Sequence, residues 1–580
     1  MIWFLTDPAR LNAEVRAVEA LAAGVDWLID LDWSFDQGRL VLRFTITVGD
    51  QRYDLKMSYP GFFPSTPPSV APVDGEQRIS PHQYGAGGDL CLEYRPDNWQ
   101  PHFTGADMIE SAHRLISTEH PADGEPQRVR SAHSVTRGQE LRSNAGRFLV
   151  TADLRELVSN MPEDVPVRCE VRLFFPPKCM SAFVEKLTLA DGSEWKPAGV
   201  PRLGRAYRGI LVRVGKVDLL SLMVDDSGAT ARQLRNKYAD GMQPALTAYK
   251  DRELIIATDG SAMTLLWQLS AEKDDITRFA TLDIDDDVPR LPASYDVLAE
   301  KKVAVVGCGS VGSKMAVSLA RSGVGQFLLV DDDVLVRKNL IRNDLDWRRM
   351  GEHKAEGLAA RLRLINPAAT ALVKRFRLGG QEATGSAASL LLEIAGCDLI
   401  VDATADPRAF NLLSSVATGS KKPMVWCEVF AGGIGGFVAR HRPGADHPPQ
   451  TMRAILRSWF HDQGVPWDGA NAMDYGGNDS AGVPLVADDG DVSVIAAHAT
   501  RMAVDLLVEG DGFPHSMYVL ALKKGWKFEQ PFEAYPVEGS EPFVAEAPPA
   551  VSDDDVTEAA NFFVQLVGKT SNEAPPARQD

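Results

Sequence analysis

The sequence predicts a multidomain α/β protein: an α+β N-terminal domain, an α+β middle domain, and a C-terminal domain built on a doubly wound, Rossmann-like parallel sheet. Three observations predict it. At 580 residues the chain is too long for one hydrophobic core, which sets roughly three to four domains. Near the N-terminus a helical apolar pattern gives way to runs of period two. From Lys301 the order becomes strand, glycine-rich turn, helix and strand, in KKVAVVGCGSVGSKMAVSLARSGVGQFLLVDDD.

Each element follows from local chemistry. Asp7 to Ala23 place Leu11, Val15, Val18 and Leu21 near one helical face. The runs WLIDLDWSF, RLVLRFTITV and RYDLKMSYP come next, with Asp36, Gly38, Gly49 and Asp50 in the turns between them, as an antiparallel meander requires. Pro64, Pro67 and Pro68 in FFPSTPPSV cannot donate ladder hydrogen bonds and are expected to end that sheet. Thr104 is a suitable cap for a helix through GADMIESAHRLIS. The first domain is therefore expected over 1–121, with a polar, unpatterned linker over 122–147.

A middle domain over 148–294 mixes strand-like runs (VPVRCEVRLFF, RGILVRVG, ELIIATD) with the helical TARQLRNKYADGMQPALTAY, and nothing in it marks chemistry. The third domain spans 295–538, where DLIVDAT and PMVWCEVF read as further strands. A Pro/Ala/acidic tail over 539–580 is expected to be disordered, with VTEAANFFVQLVG as either a docking helix or a loosely attached segment.

Composition narrows the function. Hydrophobic residues at 44% and charged residues at 24% describe an ordinary globular chain. A net charge of −18 without a long Lys/Arg run argues against a nucleic-acid partner. No apolar run approaches the ~20 residues of a membrane span. The opening MIWFLTDPARLNAEV turns polar too soon for a secretory signal, so a soluble cytoplasmic protein is expected. The six cysteines, Cys91, Cys169, Cys179, Cys308, Cys397 and Cys427, show neither C-x-x-C pairs nor zinc-ligand spacing. Cys169 and Cys179 read as structural thiols, and Cys427 as a strand residue packed in the sheet.

Two motifs carry chemistry. Gly307, Gly309 and Gly312 form a G-x-G-x-x-G between a strand and a helix, where backbone N–H groups can approach a phosphate. Dinucleotide-dependent enzymes use the same turn, and Asp331 after the next strand would hold a ribose in either class. What discriminates lies downstream, in DDDVLVRKNLIRNDL and GEHKAEGLAARLRLINP. These residues resemble the adenylation domain of ubiquitin-activating enzymes and the bacterial ThiF/MoeB family, whose pattern is D-x-D-x-V, N-L-x-R and a helix-opening lysine. Asp331, Asp333, Asn339, Arg342 and Lys354 match it. The resemblance implies ATP and Mg2+ as cofactors, with Asp331 on the ribose and Asn339, Arg342 and Lys354 around the triphosphate. A dehydrogenase is disfavoured, since the last three residues have no task there. The family's metal aspartate falls on Ala405 in DATADPRAFN, with Asp406 one place later; either Asp406 takes the role or metal binding differs.

The second motif surrounds Cys91 in PHQYGAGGDLCLEYRPDNWQP. Gly88, Leu90, Cys91, Leu92, Trp99 and Pro101 resemble the ubiquitin-conjugating fold over about residues 1–120. The resemblance implies that Cys91 accepts an acyl group as a thioester, chemistry suited to a nucleophilic thiolate. The family's H-P-N becomes Pro81, His82, Gln83. Gln83 takes the asparagine position, with an amide available for an oxyanion. His82 has a structural or a catalytic role.

Together the resemblances imply a fused activating–conjugating enzyme like those of bacterial CBASS antiphage operons. It would adenylate the C-terminus of a ubiquitin-like protein, or of a cGAS-like nucleotidyltransferase, and join it to a target-protein amine. A homodimer is expected, with no nucleic-acid or membrane partner. The adenylate passes to Cys91 directly or through Cys427. The alternatives are a sulfur-carrier adenylyltransferase, which does not need Cys91, and a non-catalytic scaffold for a ubiquitin-like protein.

Overall fold

The computed structural model describes residues 2–85, 87–121, 136–142, 145–176, 178–224, 237, 253–268, 276–285, 290–465, 467, 476–478, 482–508, 512–539 and 552–572. It divides into two compact units, Met1–Ser143 and Asn144–Asp580. The expected linker lies largely outside the described residues, as do most of the helical run TARQLRNKYADGMQPALTAY and much of the tail.

In the first unit, helix α1 (Pro8–Gly24) precedes strands β1 (Leu28–Asp36), β2 (Arg39–Val48), β3 (Gln51–Ser58) and β4 (Ser69–Pro72), which pair antiparallel in chain order. The expected meander of three strands gains a fourth. The prolines did not end the sheet because Pro64, Pro67 and Pro68 fall in the loop between β3 and β4, outside any ladder, and the chain returns to pair with β3 from Ser69 onward. A two-residue pair follows, β5 (Gln83–Tyr84) with β6 (Asp89–Leu90), then helix α2 (Gly105–Glu119). Thr104 and Asp107 form a capping box at its start. Met108, Ala112, Leu115 and Ile116 of α2 pack with Leu42, Phe44, Leu55, Leu90 and Leu92 in one core.

The second unit opens with β7 (Gly146–Val150), α3 (Ala152–Ser159), β8 (Val167–Phe174), β9 (Met180–Thr188), β10 (Glu194–Trp195), β11 (Arg205–Arg213), α4 (Lys216–Val224), β12 (Glu253–Thr258), β13 (Met263–Gln268) and β14 (Ile276–Asp283). The sheet runs β9-β7-β14-β13-β12-β11-β8 and closes on itself, because β8 returns to pair with β9.

The remainder is the doubly wound sheet. Its elements are β15 (Lys302–Val306), α5 (Ser310–Arg321), β16 (Gln326–Val330), α6 (Lys354–Ile365), β17 (Thr370–Lys374), α7 (Thr384–Ala395), β18 (Leu399–Asp402), α8 (Pro407–Gly419), β19 (Met424–Phe430), β20 (Gly435–His441), α9 (Pro449–Asp462), β21 (Gly476–Asn478), β22 (Pro484–Val486), α10 (Asp489–Val508), β23 (Met517–Ala521) and β24 (Ala534–Pro536). Strand order is β17-β16-β15-β18-β19-β20-β23-β24, parallel from β17 to β19 and antiparallel beyond. Period-two alternation sends Val303, Val305, Phe327 and Leu329 to a core with α5, α6 and α10, and Ala304, Val306, Leu328 and Val330 to one with α7, α8 and α9. The order reverses between β15 and β18, and ligands of such sheets bind outside the carboxyl ends of the strands at that point.

In the tail, Asp553–Asn572 form helix α11, which leaves Val556, Phe562, Phe563 and Val564 exposed. No helix among the described residues is long and apolar enough to cross a membrane.

Candidate functional site

A cavity of about 280 Å3 opens where the topology predicts one, beyond the carboxyl ends of β15, β16 and β18. Its glycine-rich wall divides labour among three residues. Gly307 turns the chain out of β15 at φ +86°, a left-handed conformation that favours glycine. Gly312 lets α5 close on that turn, since a Cβ there would lie 1.8 Å from the Gly307 carbonyl oxygen. Gly309, at the helix start, would project a Cβ into open space, so its absence leaves the backbone accessible to a phosphate.

Asp331 follows β16 and accepts from the backbone N–H of Cys308 (2.7 Å) and of Asp333 (2.8 Å). Burial pushes its carboxyl above its ordinary value, while the Lys354 ammonium and the two N–H groups act the other way. Asn343 ties the same corner, donating from Nδ2 to the Cys308 carbonyl at 3.1 Å. Lys354, buried at the start of α6, reaches Asp333 Oδ2 at 2.6 Å. Asn339 lines the cavity, and its Oδ1 accepts from the Val336 N–H.

The opposite wall is the turn after β18. Asp402 Oδ1 accepts from the Thr404 hydroxyl (2.6 Å) and N–H (3.0 Å), and the Thr404 hydroxyl accepts from the Asp406 N–H (3.1 Å). Ala405 takes a left-handed φ of +53° between them. Asp406 then caps α8 and faces the cavity. Hydrogen bonding to Arg408 (Nη2 to Oδ2, 2.7 Å) holds its carboxyl below its ordinary value despite burial, so it stays ionised.

These residues fit a magnesium nucleotide. Among the described residues no group of three or more His, Cys, Asp or Glu could hold a metal by itself. One ionised carboxylate beside the glycine turn is what Mg2+ shared with phosphates requires, and Asp406 would offer it by giving up a bond to Arg408.

The cavity thus brings together Gly307, Gly309, Asp331, Asp333, Asn339, Lys354 and Asp406. Gly312 stands behind it. Arg342 does not line it; its Nη1 donates to the Ala487 carbonyl at 2.8 Å, just before α10. A cation that sequence reasoning missed, Arg377, lines the cavity beyond β17, as do Asn343, Thr404 and Glu428. Asn343 sits directly after the N-L-x-R match, the one signal that could have found it. Cys427 is buried in β19 with Sγ 4.0 Å from Met315 Sδ. Burial pushes its thiol up, and Asp402 and Glu428 add to the effect.

In the first unit Cys91 follows β6, half-exposed between buried Leu90 and Leu92, and its N–H donates to the His82 carbonyl at 2.7 Å. Trp99 anchors the loop by donating to the Pro64 carbonyl at 2.7 Å. Gln83 is bonded at both ends of its amide. Oε1 accepts from the N–H groups of Ile79 (2.7 Å) and Ser80 (3.1 Å), and Nε2 donates to the carbonyls of Gly88 (2.8 Å) and Gln77 (3.3 Å). The expected oxyanion donor is therefore committed here to shaping the loop, and stabilising an oxyanion would require it to release one of those carbonyls. His82 is buried with Nε2 3.4 Å from Glu119 Oε1.

Fold and site define a nucleotide-binding domain on a doubly wound sheet. Residues 287–454 match the model of the ThiF family, and this part of the chain is a ThiF-family adenylation domain of the MoeB and ubiquitin-activating kind. The chain is 27% identical over 543 residues to the uncharacterized protein y4qC of Sinorhizobium fredii, covering 85% of this chain and 86% of that one. It is 32% identical over 158 residues to the SAMP-activating enzyme E1 of Haloferax volcanii, covering 27% of this chain and 55% of that one. It is 33% identical over 174 residues to the adenylyltransferase and sulfurtransferase uba4 of Aspergillus fumigatus, covering 30% of this chain and 33% of that one.

Proposed function

We propose that the protein adenylates the C-terminal carboxylate of a ubiquitin-like polypeptide with ATP, receives it on Cys91 as a thioester and conjugates it to a target-protein amine. The observation that carries the adenylation half is the cavity where Asp331, Asn339, Lys354 and Asp406 converge on the glycine turn. Asp331 offers a carboxylate to the ribose, the Gly309 backbone meets a phosphate, and Lys354 neutralises charge as pyrophosphate departs. Mg2+, when bound, would spread the phosphate charge, with Asp406 as its protein ligand. Arg342 would serve the triphosphate only by exchanging the Ala487 carbonyl for a phosphate.

The conjugating half is supported by the order helix, meander, Cys91 loop and helix within the first unit, and by a half-exposed thiol on that loop. The domain order further suggests the activating–conjugating fusions of CBASS operons, with a cGAS-like nucleotidyltransferase as the activated partner and a homodimer as the working form. A sulfur-carrier reading draws on the likeness to uba4. Cys91→Ala separates the two. An ATP-dependent, reducible adduct on the wild-type chain that disappears in the variant, with ATP–pyrophosphate exchange retained, supports conjugation. Full carrier activity of the variant refutes it.

A further inference from the structure

The Cys91 loop holds a buried acid–base pair that nothing in the adenylation chemistry uses. Glu119, the last residue of α2, is 7% exposed, and neither carboxylate oxygen has a hydrogen bond. A buried carboxylate so placed requires a reason, because a desolvated carboxylate without hydrogen bonds is costly. Its polar neighbour is the imidazole of His82, itself 7% exposed, at 3.4 Å. His82 in turn stands opposite Cys91 just beyond the last register pair, Gln83↔Leu90: the Cys91 N–H donates to the His82 carbonyl at 2.7 Å, while the His82 N–H turns to Ser80 Oγ at 2.9 Å.

We propose that Glu119, His82 and Cys91 form a thiol-activating triad, with His82 as the proton acceptor and Glu119 as its positioning residue. This rests on the reading of Cys91 as the acyl carrier. Nucleophile, base and base-orienting carboxylate in that sequence are what activated thiols require. The Cys91 S–H proton passes to the imidazole, giving a thiolate and an imidazolium held by Glu119. The thiolate attacks the acyl carbon of the adenylate, the S–C bond forms, and the C–O bond to AMP breaks with its electron pair on the departing phosphate. The imidazolium then loses its proton to solvent. Other titratable groups around the loop are Tyr84, Arg95 and Asp89 on the thiol side, and His120 beside Glu119, which bonds the Ile79 carbonyl and stacks on Tyr53.

The test needs no acyl substrate. Iodoacetamide alkylation of Cys91 in the full chain is followed against pH by peptide mass spectrometry. The wild-type profile should inflect well below the ~8.5 of an ordinary thiol. His82→Gln and the isosteric Glu119→Gln should raise the inflection and lower the rate at neutral pH roughly tenfold, by the thiolate fraction lost. A wild-type inflection at the ordinary value overturns the triad without any variant, and so does an unshifted profile in His82→Gln. A low, variant-sensitive inflection in a protein that never forms an ATP-dependent adduct would keep the triad and sink the acyl-carrier reading instead.

Discussion

Lys354→Met separates nucleotide binding from folding. The ammonium is 7% exposed at the start of α6, so water does little to screen it from a phosphate in the cavity, and one charge-assisted bond is worth about 1.5–3 kcal/mol. Removing it should weaken ATP affinity roughly 10- to 150-fold. Loss of the Asp333 pair itself should hardly move stability. Asp333 has a side chain 68% exposed, the released carboxylate is solvated, and such pairs contribute about 0–1 kcal/mol. A second consequence concerns pH. Lys354 opposes the burial that raises Asp331, so in the variant Asp331 should rise further and lose its ionised, ribose-accepting form at a higher pH as acid is added. Calorimetric titration with ATP, repeated over a pH series beside a denaturant melt, reads both effects. An affinity within twofold of wild type would refute the assignment of Lys354 to the phosphates.

Other perturbations follow from the same geometry. Gly312→Ala, whose Cβ would meet the Gly307 oxygen at 1.8 Å, should lower stability by about 1–3 kcal/mol or more, whereas Gly309→Ala, opening on empty space, should fold normally and lose nucleotide; equal melting midpoints would contradict the division of roles. Asp446 takes hydrogen bonds from Arg442 (3.0 Å) and Ser516 (2.8 Å), and although burial alone would raise its carboxyl, they hold it below its ordinary value. Its contribution is then fully present above the unfolded value of about 3.9 and lost as pH falls through the folded one, so Asp446→Asn should flatten the acid limb of the stability curve; an unchanged limb would assign that limb to other carboxylates. Cys427→Ser should leave charging of Cys91 intact, and loss of charging with adenylation retained would mean that the acyl group stops at Cys427.

What the sequence made legible was what local pattern encodes. The glycine turn and Asp331 belong to one βαβ unit and the lysine opens the next helix, and the cavity assembles them. Arg342 is different. Its bond to Ala487 joins residues 145 positions apart, and no periodicity near Arg342 announces the start of α10. The closed sheet of the middle segment was equally hidden, since its closure is the return of β8 to β9 and its parallel pairings, β14 with β7 and β11 with β12, are long-range. Pro64, Pro67 and Pro68 show a rule pressed too far, because prolines in a loop interrupt a ladder without keeping the chain from returning to it at Ser69. Glu14 evaded the helical pattern from the other direction. It is a carboxylate on the buried face of α1, where it accepts from the Gly105 N–H (2.7 Å) and the Tyr59 hydroxyl (3.1 Å) and so fastens α2 to the sheet.

The two candidate acceptor thiols are opposites in setting. Cys427 lines the cavity, yet it is locked in a central strand with Asp402 and Glu428 beside it. Each of these features disfavours a thiolate, and a thiol held in its neutral form is a poor acyl acceptor. Cys91 sits on a loop shaped by Gln83 and anchored by Trp99, half-exposed, with its N–H on the His82 carbonyl. Because acyl transfer to sulfur depends on the anion, the surroundings of Cys427 disfavour it as an intermediate acceptor, which leaves transfer to Cys91 without a stop at Cys427 as the route to test.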